Sequence, residues 1–348
     1  MKVVYSPRYE IDIGLHVFPT AKYRATRDGL IQAGVIAAGD FVEPQPATWD
    51  DLALVHTPDY LAKLGAGTLS AEDLAQLELP WSAEMVEGFR VMVGGTIQAA
   101  GIACDFPDDD RTQPPSRRRS FGEPRRSSWR TTPSGGGTPQ SAQRKNVSAG
   151  SASSTFNVAC HIGGGLHHAF PNHGEGFCPF NDVAVAIRVL QASGVERVAV
   201  VDLDVHHGNG TAFIFESDPR VFTFSMHQQH NYPMWKPRGS LDIGLSDGVH
   251  DAAYLAALER ALPTVMDSAP QCVFYLAGAD PYEDDQLGGL KLTREGLRQR
   301  DRLVIGTVAA AGIPLVVALA GGYARKVEDT VAIHMATIEE ATAASDRS

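Results

Sequence analysis

The stretch Val201-Asp-Leu-Asp-Val-His-His-Gly-Asn-Gly210 indicates both the fold and the chemistry of this 348-residue chain. It overlaps the end of an apolar run of strand length at residues 198–203 and continues into a cluster of acidic residues and histidines. Asp204 and His206 are separated by one residue, and in an extended segment the side chains of residues i and i+2 point the same way. One carboxylate and one imidazole are therefore expected to converge on a single point.

Asp280 is expected to complete this site, because it follows a second apolar run in Leu276-Ala-Gly-Ala-Asp280. Three protein ligands with an open fourth position are typical of a catalytic zinc site rather than a structural one. The same carboxylate and imidazole ligands could hold Fe(II) or Co(II). The structural alternative is that the three residues are hydrogen-bonded polar groups buried at strand ends.

Apolar runs and helix-like segments alternate along the chain. The apolar runs of strand length cover residues 3–5, 158–162, 198–203, 221–225, 273–277 and 314–319. The helix-like segments cover residues 84–104, 182–192, 252–266, 294–311 and 325–341. This pattern predicts an α/β protein with a central, mostly parallel β-sheet and helices on both faces.

Binding sites in parallel α/β sheets form beyond the carboxyl ends of the strands. The tandem histidines His167 and His168 follow the apolar run at 158–162, and Tyr323 follows two glycines after the run at 314–319. The candidate metal ligands follow two further runs. We therefore expect one edge of one sheet to collect all of these residues.

Five motifs stand in the order found in the zinc-dependent histone deacetylase family, which this chain resembles. They are Gly163-Gly-Gly-Leu-His-His-Ala169, Gly174-Glu-Gly-Phe-Cys-Pro-Phe-Asn-Asp182, the Asp-Leu-Asp-Val-His-His-Gly-Asn-Gly run, Gly278-Ala-Asp280 and Gly321-Gly-Tyr323. Phe18-Pro-Thr-Ala-Lys-Tyr and Asp285-Gln-Leu-Gly-Gly-Leu look closest to class IV and its bacterial relatives. The resemblance implies the arginase/deacetylase fold, with residues 1–348 as a single deacetylase domain.

The resemblance also implies roles for the polar residues beside the zinc ligands. His168 matches the main general base and acid, and His167 matches its electrostatic partner, because imidazole can take and return a proton near neutral pH. Asp202 matches the residue that orients the first histidine. Asn209 matches the residue that orients the second, where several branches carry Asp, and its neutral amide should leave the pKa of that histidine lower. The structural alternative for the two histidines is a hydrogen-bonded polar turn.

Tyr323 matches the donor that stabilises a developing oxyanion, although a tyrosine after two glycines can also be a core ring on a turn. Phe177 and Tyr232 match the walls of a narrow channel for the acyl-lysine stem, and Leu287 matches its rim. The structural alternative for the aromatic rings is ordinary core packing. The predicted substrate-binding residues are Gly176, Phe177, Tyr232, Leu287 and Gly322.

Members of the family also hold a potassium ion near the zinc. The matching positions in this chain are Asp202, Asp204, His206, Ser225 and Met226. Both carboxylates and the serine are present, so the resemblance predicts K⁺ as a second bound ion beside Zn²⁺. The alternative is a hydrogen-bonded strand end without an ion.

Composition limits the classes of partner and compartment. Lys and Arg number 30 against 41 Asp and Glu, a net charge of −11, which argues against a general nucleic-acid or membrane-surface binder. Negative charge would help to attract a lysine-rich peptide, but ordinary solubility charge is the favoured explanation. The four cysteines are expected to be buried free thiols of a reducing compartment. With no signal-peptide pattern and no apolar run of membrane-spanning length, we expect a cytoplasmic location, or a nuclear one in a eukaryote.

Residues at about 105–156 interrupt the pattern with a low-complexity stretch rich in Ser, Pro, Gly and Arg. Residues 111–150 include nine basic side chains and one acidic one. Such a stretch buries too little apolar surface to offset its ordering entropy, so we predict a disordered insertion, either a basic arm or translated sequence foreign to the mature protein. Because it enters at the amino end of the run at 158–162, it should leave the sheet on the side opposite the zinc.

The predicted activity is zinc-dependent hydrolysis of the amide of an acyl-lysine in a protein or peptide. One alternative is an amidohydrolase for acetylated polyamines, which a narrow acidic entrance would favour. The other is a catalytically silent acyl-lysine binding protein whose site the insertion has distorted. Zinc content together with turnover of an acetyl-lysine peptide separates the enzymes from the silent protein.

Overall fold

The computed structural model describes residues 1–106 and 156–347, which form one eight-stranded sheet with helices around it. The strands are β1 (Lys2–Val4), β2 (Phe41–Val42), β3 (Val158–His161), β4 (Val198–Asp202), β5 (Val221–Gln228), β6 (Leu241–Leu245), β7 (Cys272–Leu276) and β8 (Leu315–Ala318). The α-helices are α1 (Lys22–Gln32), α2 (Trp49–Leu52), α3 (Pro58–Ala66), α4 (Ala71–Leu77), α5 (Ala83–Ala103), α6 (Asp182–Ala192), α7 (Asn209–Phe215), α8 (Asp251–Asp267), α9 (Arg294–Ala310) and α10 (Val327–Asp346). Short 3-10 helices lie at Pro7–Tyr9 and Ala38–Asp40.

Neighbouring strands in the sheet are parallel throughout, in the order β2-β1-β3-β8-β7-β4-β5-β6. The central strands β3, β8, β7 and β4 are buried along their whole length. Burial on both faces explains why they read as continuous apolar runs rather than as alternating patterns. The predicted α/β class and parallel sheet are confirmed.

The helices pack in two groups against this sheet. In one group α5 contacts α6 and lies against β1, β3 and β8. In the other, α1, α10, α9 and α8 contact one another in that order, with α10 against β3 and α9 against β8. Strands β3 and β8 therefore contact a helix of each group, as expected for a parallel sheet covered on both faces.

The structure differs from the predicted strands at both edges of the sheet, because neither β2 nor β6 was predicted. The first four residues of β6 alternate between half-exposed and exposed positions, and only Leu245 is buried. Asp242 also interrupts the apolar pattern, so this strand was missed. Strand β5 continues to Gln228, beyond the predicted end at 225, because its last residues pair with β6. Edge strands are half-exposed, and a continuous apolar run is a signal of central strands only.

The two ends of the gap in the described residues lie at the amino edge of the sheet. Cys104, just after α5, contacts Cys272, the first residue of β7. Phe156, on the other side of the gap, is buried two residues before β3 begins. The predicted insertion itself falls almost wholly in residues 107–155, outside the described residues, and its conformation and placement stay predictions.

The four cysteines all lie within the described residues, where they are free and buried. This confirms the prediction of buried free thiols. In residues 1–106 and 156–347, no helix is both long enough and apolar enough to cross a membrane.

Candidate active site

The carboxyl ends of four adjacent strands bring the predicted site residues together. Strands β3, β8, β7 and β4 are neighbours in the sheet. The segments that follow them carry His167, His168, Tyr323, Asp280, Asp204 and His206. Because parallel strands all end at the same edge, residues that are far apart in sequence meet there, as predicted.

Asp204, His206 and Asp280 are the one group of metal-ligating side chains in the described ranges whose ligand atoms all lie within 4.8 Å of one another. His206 Nδ1 is 3.0 Å from Asp204 Oδ1 and 3.6 Å from Asp280 Oδ2. Asp280 Oδ2 is buried and has no hydrogen-bond partner among the residues that the structure describes. A buried carboxylate oxygen without a partner is costly, and a divalent cation held by the three side chains would satisfy it.

Two glycines leave room for these carboxylates. A Cβ at Gly278 would lie 2.8 Å from Asp204 Oδ2 and from Asp280 Oδ1, and a Cβ at Gly321 would collide with both carboxylates. The backbone N–H of Gly321 instead donates to Asp204 Oδ2 at 2.9 Å, and that of Val205 donates to Asp280 Oδ1 at 2.8 Å. The residues present therefore fit a zinc ion, since oxygen and imidazole ligands converge on a cradle that the glycines keep open.

Asp204 and His206 meet for a different reason from the one predicted. Strand β4 ends at Asp202, and residues 204–206 form a bend, not an extended segment. Asp204 Oδ1 accepts the backbone N–H of His206 at 3.0 Å and also lies 3.0 Å from Nδ1 of the same residue. The inference from the i, i+2 geometry of a strand was wrong. The Asp204 and His206 side chains converge because the Asp204 carboxylate accepts the backbone N–H of His206 and so closes the bend.

The charges of this trio favour a bound cation. Burial, together with the neighbouring carboxylate of Asp204, raises the pKa of Asp280 to about 7. Burial opposes protonation of His206, but the carboxylates of Asp204 and Asp280 outweigh it and raise the pKa of His206 to about 10. Two close carboxylates in a buried pocket thus attract positive charge, which a divalent cation can supply in place of protons.

His167 and His168 form a buried pair in opposite electrostatic surroundings. Their Nε2 atoms are 3.1 Å apart, and His167 Nδ1 donates to Asp202 Oδ2 at 2.7 Å. Burial opposes the charged form of His167, but Asp202 and Asp204 outweigh it and raise its pKa to about 9. Burial and the neighbouring rings of His167 and His206 hold the pKa of His168 well below its usual value. The surroundings therefore favour the protonated form of His167 and the neutral form of His168.

A buried aspartate holds the glycine loop that precedes the two histidines. Gly164 and Gly165 adopt positive φ values of 68° and 78°, which L side chains rarely adopt. Asp182 Oδ2 accepts the N–H of Gly165 at 3.0 Å, and Oδ1 accepts that of Leu166 at 2.7 Å. Asp182 thus fixes the backbone immediately before His167.

A chain of buried hydrogen bonds supports this aspartate. Thr96 on α5 donates to Asp182 Oδ2 and accepts from His161 Nδ1 at 2.9 Å, while the hydroxyl of Tyr9 donates to His161 Nε2 at 2.8 Å. Burial lowers the pKa of His161 to about 3, so its ring is neutral. Sequence reasoning missed this chain, because its members come from elements that are distant in sequence.

Asn209 joins His168 to Glu175. His168 Nδ1 donates to Asn209 Oδ1 at 2.7 Å, and the amide nitrogen of Asn209 donates to Glu175 Oε1 at 2.7 Å. Glu175 also accepts the hydroxyl of Tyr232 at 3.0 Å and Nε2 of Gln76 at 3.1 Å. An aspartate at position 209 would bring two carboxylates into contact, so the amide suits its acidic neighbour. Nothing in the sequence spacing indicated the role of Glu175.

Two charged residues hold the segment that carries Tyr323. The backbone N–H of Tyr323 donates to Asp285 Oδ2 at 2.7 Å. Lys22 Nζ donates to the carbonyls of Ala320 at 3.2 Å and Gly322 at 3.4 Å, and it lies 5.3 Å from the centroid of the Tyr323 ring. Burial raises the pKa of Tyr323 well above its usual value, so the phenol keeps its proton and can donate it in a hydrogen bond. Lys22 and Asp285 both stand in motifs quoted above, but their contacts were not predicted.

A cavity of about 200 Å³ opens onto these residues. Its lining consists of Glu78, His168, Gly176, Phe177, His206, Asn231, Tyr232, Leu287 and Tyr323. Four of the five predicted substrate-binding residues are in this set, whereas Gly322 is not and contributes its carbonyl to Lys22 instead. Glu78 and Asn231 were missed. Glu78 follows α4 with a positive φ of 58°, and Asn231 Nδ2 donates to Leu287 O at 2.8 Å.

The residues predicted to hold potassium lie together, at and just after the end of β4 and on the adjacent part of β5. Asp202 pairs with Ser225 in the sheet, and Met226 follows Ser225. Asp202 Oδ1 accepts the N–H of Asp204 at 3.2 Å, while Ser225 Oγ lies 3.0 Å from His227 Nδ1. The structure groups these residues, and the potassium ion stays a prediction.

Known proteins are similar in sequence to this chain along most of its length. The protein-family model described as the Histone deacetylase domain matches residues 16–338. An uncharacterized protein of Picosynechococcus sp. is 38% identical over 335 residues, which cover 95% of each chain. Histone deacetylase 2 of Arabidopsis thaliana is 27% identical over 350 residues, covering 95% of this chain and 78% of the plant protein.

The fold is also similar to that of solved structures. The crystal structure of an HDAC homolog from Aquifex aeolicus matches with a TM-score of 0.72 at 21% identity, covering 98% of this chain and 83% of that one. At this identity the likeness concerns the fold alone. It confirms the arginase/deacetylase architecture that the sequence motifs implied.

Proposed function

Because the chain belongs to the histone deacetylase family, we propose that it is a zinc-dependent hydrolase that removes the acyl group from acylated lysine side chains of proteins or peptides. One observation carries the proposal. A buried trio of possible metal ligands, Asp204, His206 and Asp280, lies beside the paired histidines His167 and His168 and next to a cavity of about 200 Å³. This set contains the groups that hydrolysis of an unactivated amide requires.

Asp204, His206 and Asp280 would hold the zinc ion through two carboxylates and one imidazole, which leaves coordination positions for water and substrate. The chemistry that zinc supplies when bound is polarisation of the amide carbonyl and activation of the attacking water. Carboxylate-rich sites also accept other divalent metals. The ligand types and membership of the histone deacetylase family favour zinc.

The two histidines would divide the proton transfers between them. Nε2 of His168, which belongs to the neutral ring, would take a proton from the attacking water and later return it to the leaving lysine amine. His167, charged and held by Asp202, would place positive charge beside the negative charge that develops in the transition state. The protonated phenol of Tyr323 would donate a hydrogen bond to the developing oxyanion.

The cavity suits the long, unbranched stem of an acylated lysine. Phe177 and Tyr232 contribute aromatic walls. The Phe177 ring packs against the rings of Phe18 and Tyr323, with distances of 6.2 Å and 5.9 Å between ring centroids. Glu78 is the one carboxylate among the lining residues. It could accept substrate N–H groups or face a cationic chain, and this second possibility is the reason to test acetylated polyamines.

We also propose that a potassium ion binds beside the zinc site through Asp202, Asp204, His206, Ser225 and Met226. The support is the register of the sheet, which places Asp202, the last residue of β4, opposite Ser225 of β5. Such an ion would hold the bend after β4 and so support Asp204 and His206. Zinc affinity that is equal in potassium and in tetramethylammonium buffers would contradict this role.

The proposal is tested by turnover of three substrates by the zinc-loaded full chain. They are an acetyl-lysine peptide, a long-chain acyl-lysine peptide and an acetylpolyamine. We expect hydrolysis of at least one lysine peptide with a kcat/KM above that for the polyamine. A higher kcat/KM for the polyamine would favour a small-molecule amidohydrolase. A fully zinc-loaded protein that hydrolyses none of the three would favour a silent binding protein.

Replacing Asn209 with aspartate should move the pH dependence of the reaction. A carboxylate at this position favours the protonated form of His168, so the pKa of His168 should rise. The acid limb of the kcat/KM profile, which reports ionisation of the general base, should therefore move to higher pH. Because Glu175 lies against position 209, kcat should also fall.

A double variant separates these two effects. In Asn209→Asp/Glu175→Gln, the amide of residue 175 can donate to the new carboxylate, which restores the contact. We expect kcat to recover while the acid limb stays at the higher pH. An acid limb that does not move in either variant would show that His168 is not the general base.

A further inference from the structure

A fully buried arginine lies close to the proposed zinc site. Arg300, on α9, has the largest side chain without exposed surface in the part of the chain that the structure describes. A guanidinium stays charged in proteins and is almost never fully buried without partners. Its partners therefore indicate what this side chain does.

One nitrogen of Arg300 contacts both segments that carry the proposed zinc-binding carboxylates. Nη1 donates to the carbonyl of Gly278 at 2.6 Å and lies 3.5 Å from that of Leu203. Leu203 immediately precedes Asp204, and Gly278 lies two residues before Asp280. The guanidinium thus links the backbones of the two segments.

This contact lies where the sheet stops holding the two segments together. The last paired residues of β4 and β7 are Asp202 and Leu276. One further backbone hydrogen bond follows, from the N–H of Leu203 to the carbonyl of Leu276. The segments nevertheless stay close, because a Cβ at Gly278 would lie 2.8 Å from the Cα of Asp204. Beyond the last ladder bond their separation depends on side-chain contacts, and the guanidinium contacts both.

Three neighbouring side chains fix the orientation of the guanidinium. Asp301 Oδ1 accepts from Nε and Nη2 of Arg300 at 3.0 Å and 2.9 Å. The hydroxyl of Tyr275 on β7 donates to the same oxygen at 2.5 Å, and that of Thr337 on α10 donates to Asp301 Oδ2 at 2.7 Å. The Arg300–Asp301 pair is therefore anchored to two further elements and adds no net charge near the carboxylates.

We infer that Arg300 is a positioning residue that sets the spacing between Asp204 and Asp280 for the metal ion. The inference rests on the proposed zinc site. Arg300 acts through backbone carbonyls and Asp301, not through contact with substrate. Contacts that orient metal ligands typically change metal affinity by about 10- to 100-fold when they are lost. Loss of the hydrogen bonds made by the Arg300 guanidinium should therefore weaken zinc binding by about this factor.

Two variants that preserve net charge test the role. Arg300→Lys keeps the charge but cannot reproduce the fork that holds two carbonyls and a carboxylate. Arg300→Met/Asp301→Asn removes both charges, while the oxygen of the new amide can accept from Tyr275 and its nitrogen can donate to the hydroxyl of Thr337. For each we would measure the zinc Kd by chelator competition and the melting temperature of the metal-free protein. We expect the zinc Kd to rise about 10- to 100-fold in both.

The matched control is Arg302→Lys, because Arg302 lies on the same helix but is half-exposed and pairs with Glu295 and Glu340. Its zinc Kd should equal that of the unaltered chain. A melting temperature that falls in the Arg300 variants while the zinc Kd does not change would mean that the arginine serves folding alone, and failure of both variants to fold would lead to the same conclusion. Absence of zinc binding by the unaltered chain would instead contradict the proposed function.

Discussion

Replacing Asp280 with alanine should abolish zinc binding and hydrolysis together. The variant loses one of three ligands and leaves the N–H of Val205 without its side-chain acceptor. Metal ions contribute several kcal/mol of transition-state stabilisation, so turnover should fall by roughly 1000-fold or more. Zinc content by mass spectrometry and turnover of an acyl-lysine peptide, measured on the same samples, check the result.

Asp284→Ala is the matched control for this variant. Asp284 is an acidic neighbour in sequence, but it is half-exposed and pairs with Arg325 at 3.4 Å. Its removal should leave both zinc content and turnover unchanged. Retention of full activity in the metal-stripped chain, or zinc binding by Asp280→Ala at the level of the unaltered chain, would contradict the proposed metal centre.

Replacing Tyr323 with phenylalanine should reduce kcat by about 100- to 1000-fold, which is the usual effect of removing one hydrogen-bond donor to an oxyanion. The phenol keeps its proton in this buried setting, so the substitution removes one donor and little else. An interaction made only in the transition state affects kcat and kcat/KM equally. We therefore expect KM and zinc content to stay close to those of the unaltered chain.

A second tyrosine provides the comparison for Tyr323. Tyr282 follows β7 in the chain and is partly buried, but it does not line the cavity. Tyr282→Phe should leave kcat within about 2-fold, since this hydroxyl lies outside the cavity and substitutions away from a site usually have small effects. Equal kcat values for Tyr323→Phe and the unaltered chain would identify Tyr323 as a packing residue and would remove the oxyanion donor from the mechanism.

The amino-acid sequence was sufficient to predict the parallel α/β sheet and the edge at which the site forms. Central strands that are buried on both faces are mostly apolar along their length. The strands β3, β4, β7 and β8 could therefore be recognised from runs of consecutive apolar residues. Parallel strands share one carboxyl edge, which placed the histidines, the carboxylates and the tyrosine together before any contact was known. The resemblance to the family motifs added predicted roles for individual residues, which no periodicity or spacing could supply.

Tertiary structure alone decided what holds these residues in place. Four features were not predicted: the bend at Asp204, the Asp182 carboxylate under the glycine loop, the Lys22 contact behind Tyr323, and the Arg300 link between the two segments that carry the proposed metal ligands. Hydrophobic periodicity reports which face of one element is buried, but it does not report which distant element packs there. Buried polar groups must find partners, and the packing of helices onto the sheet determines which partners come within reach.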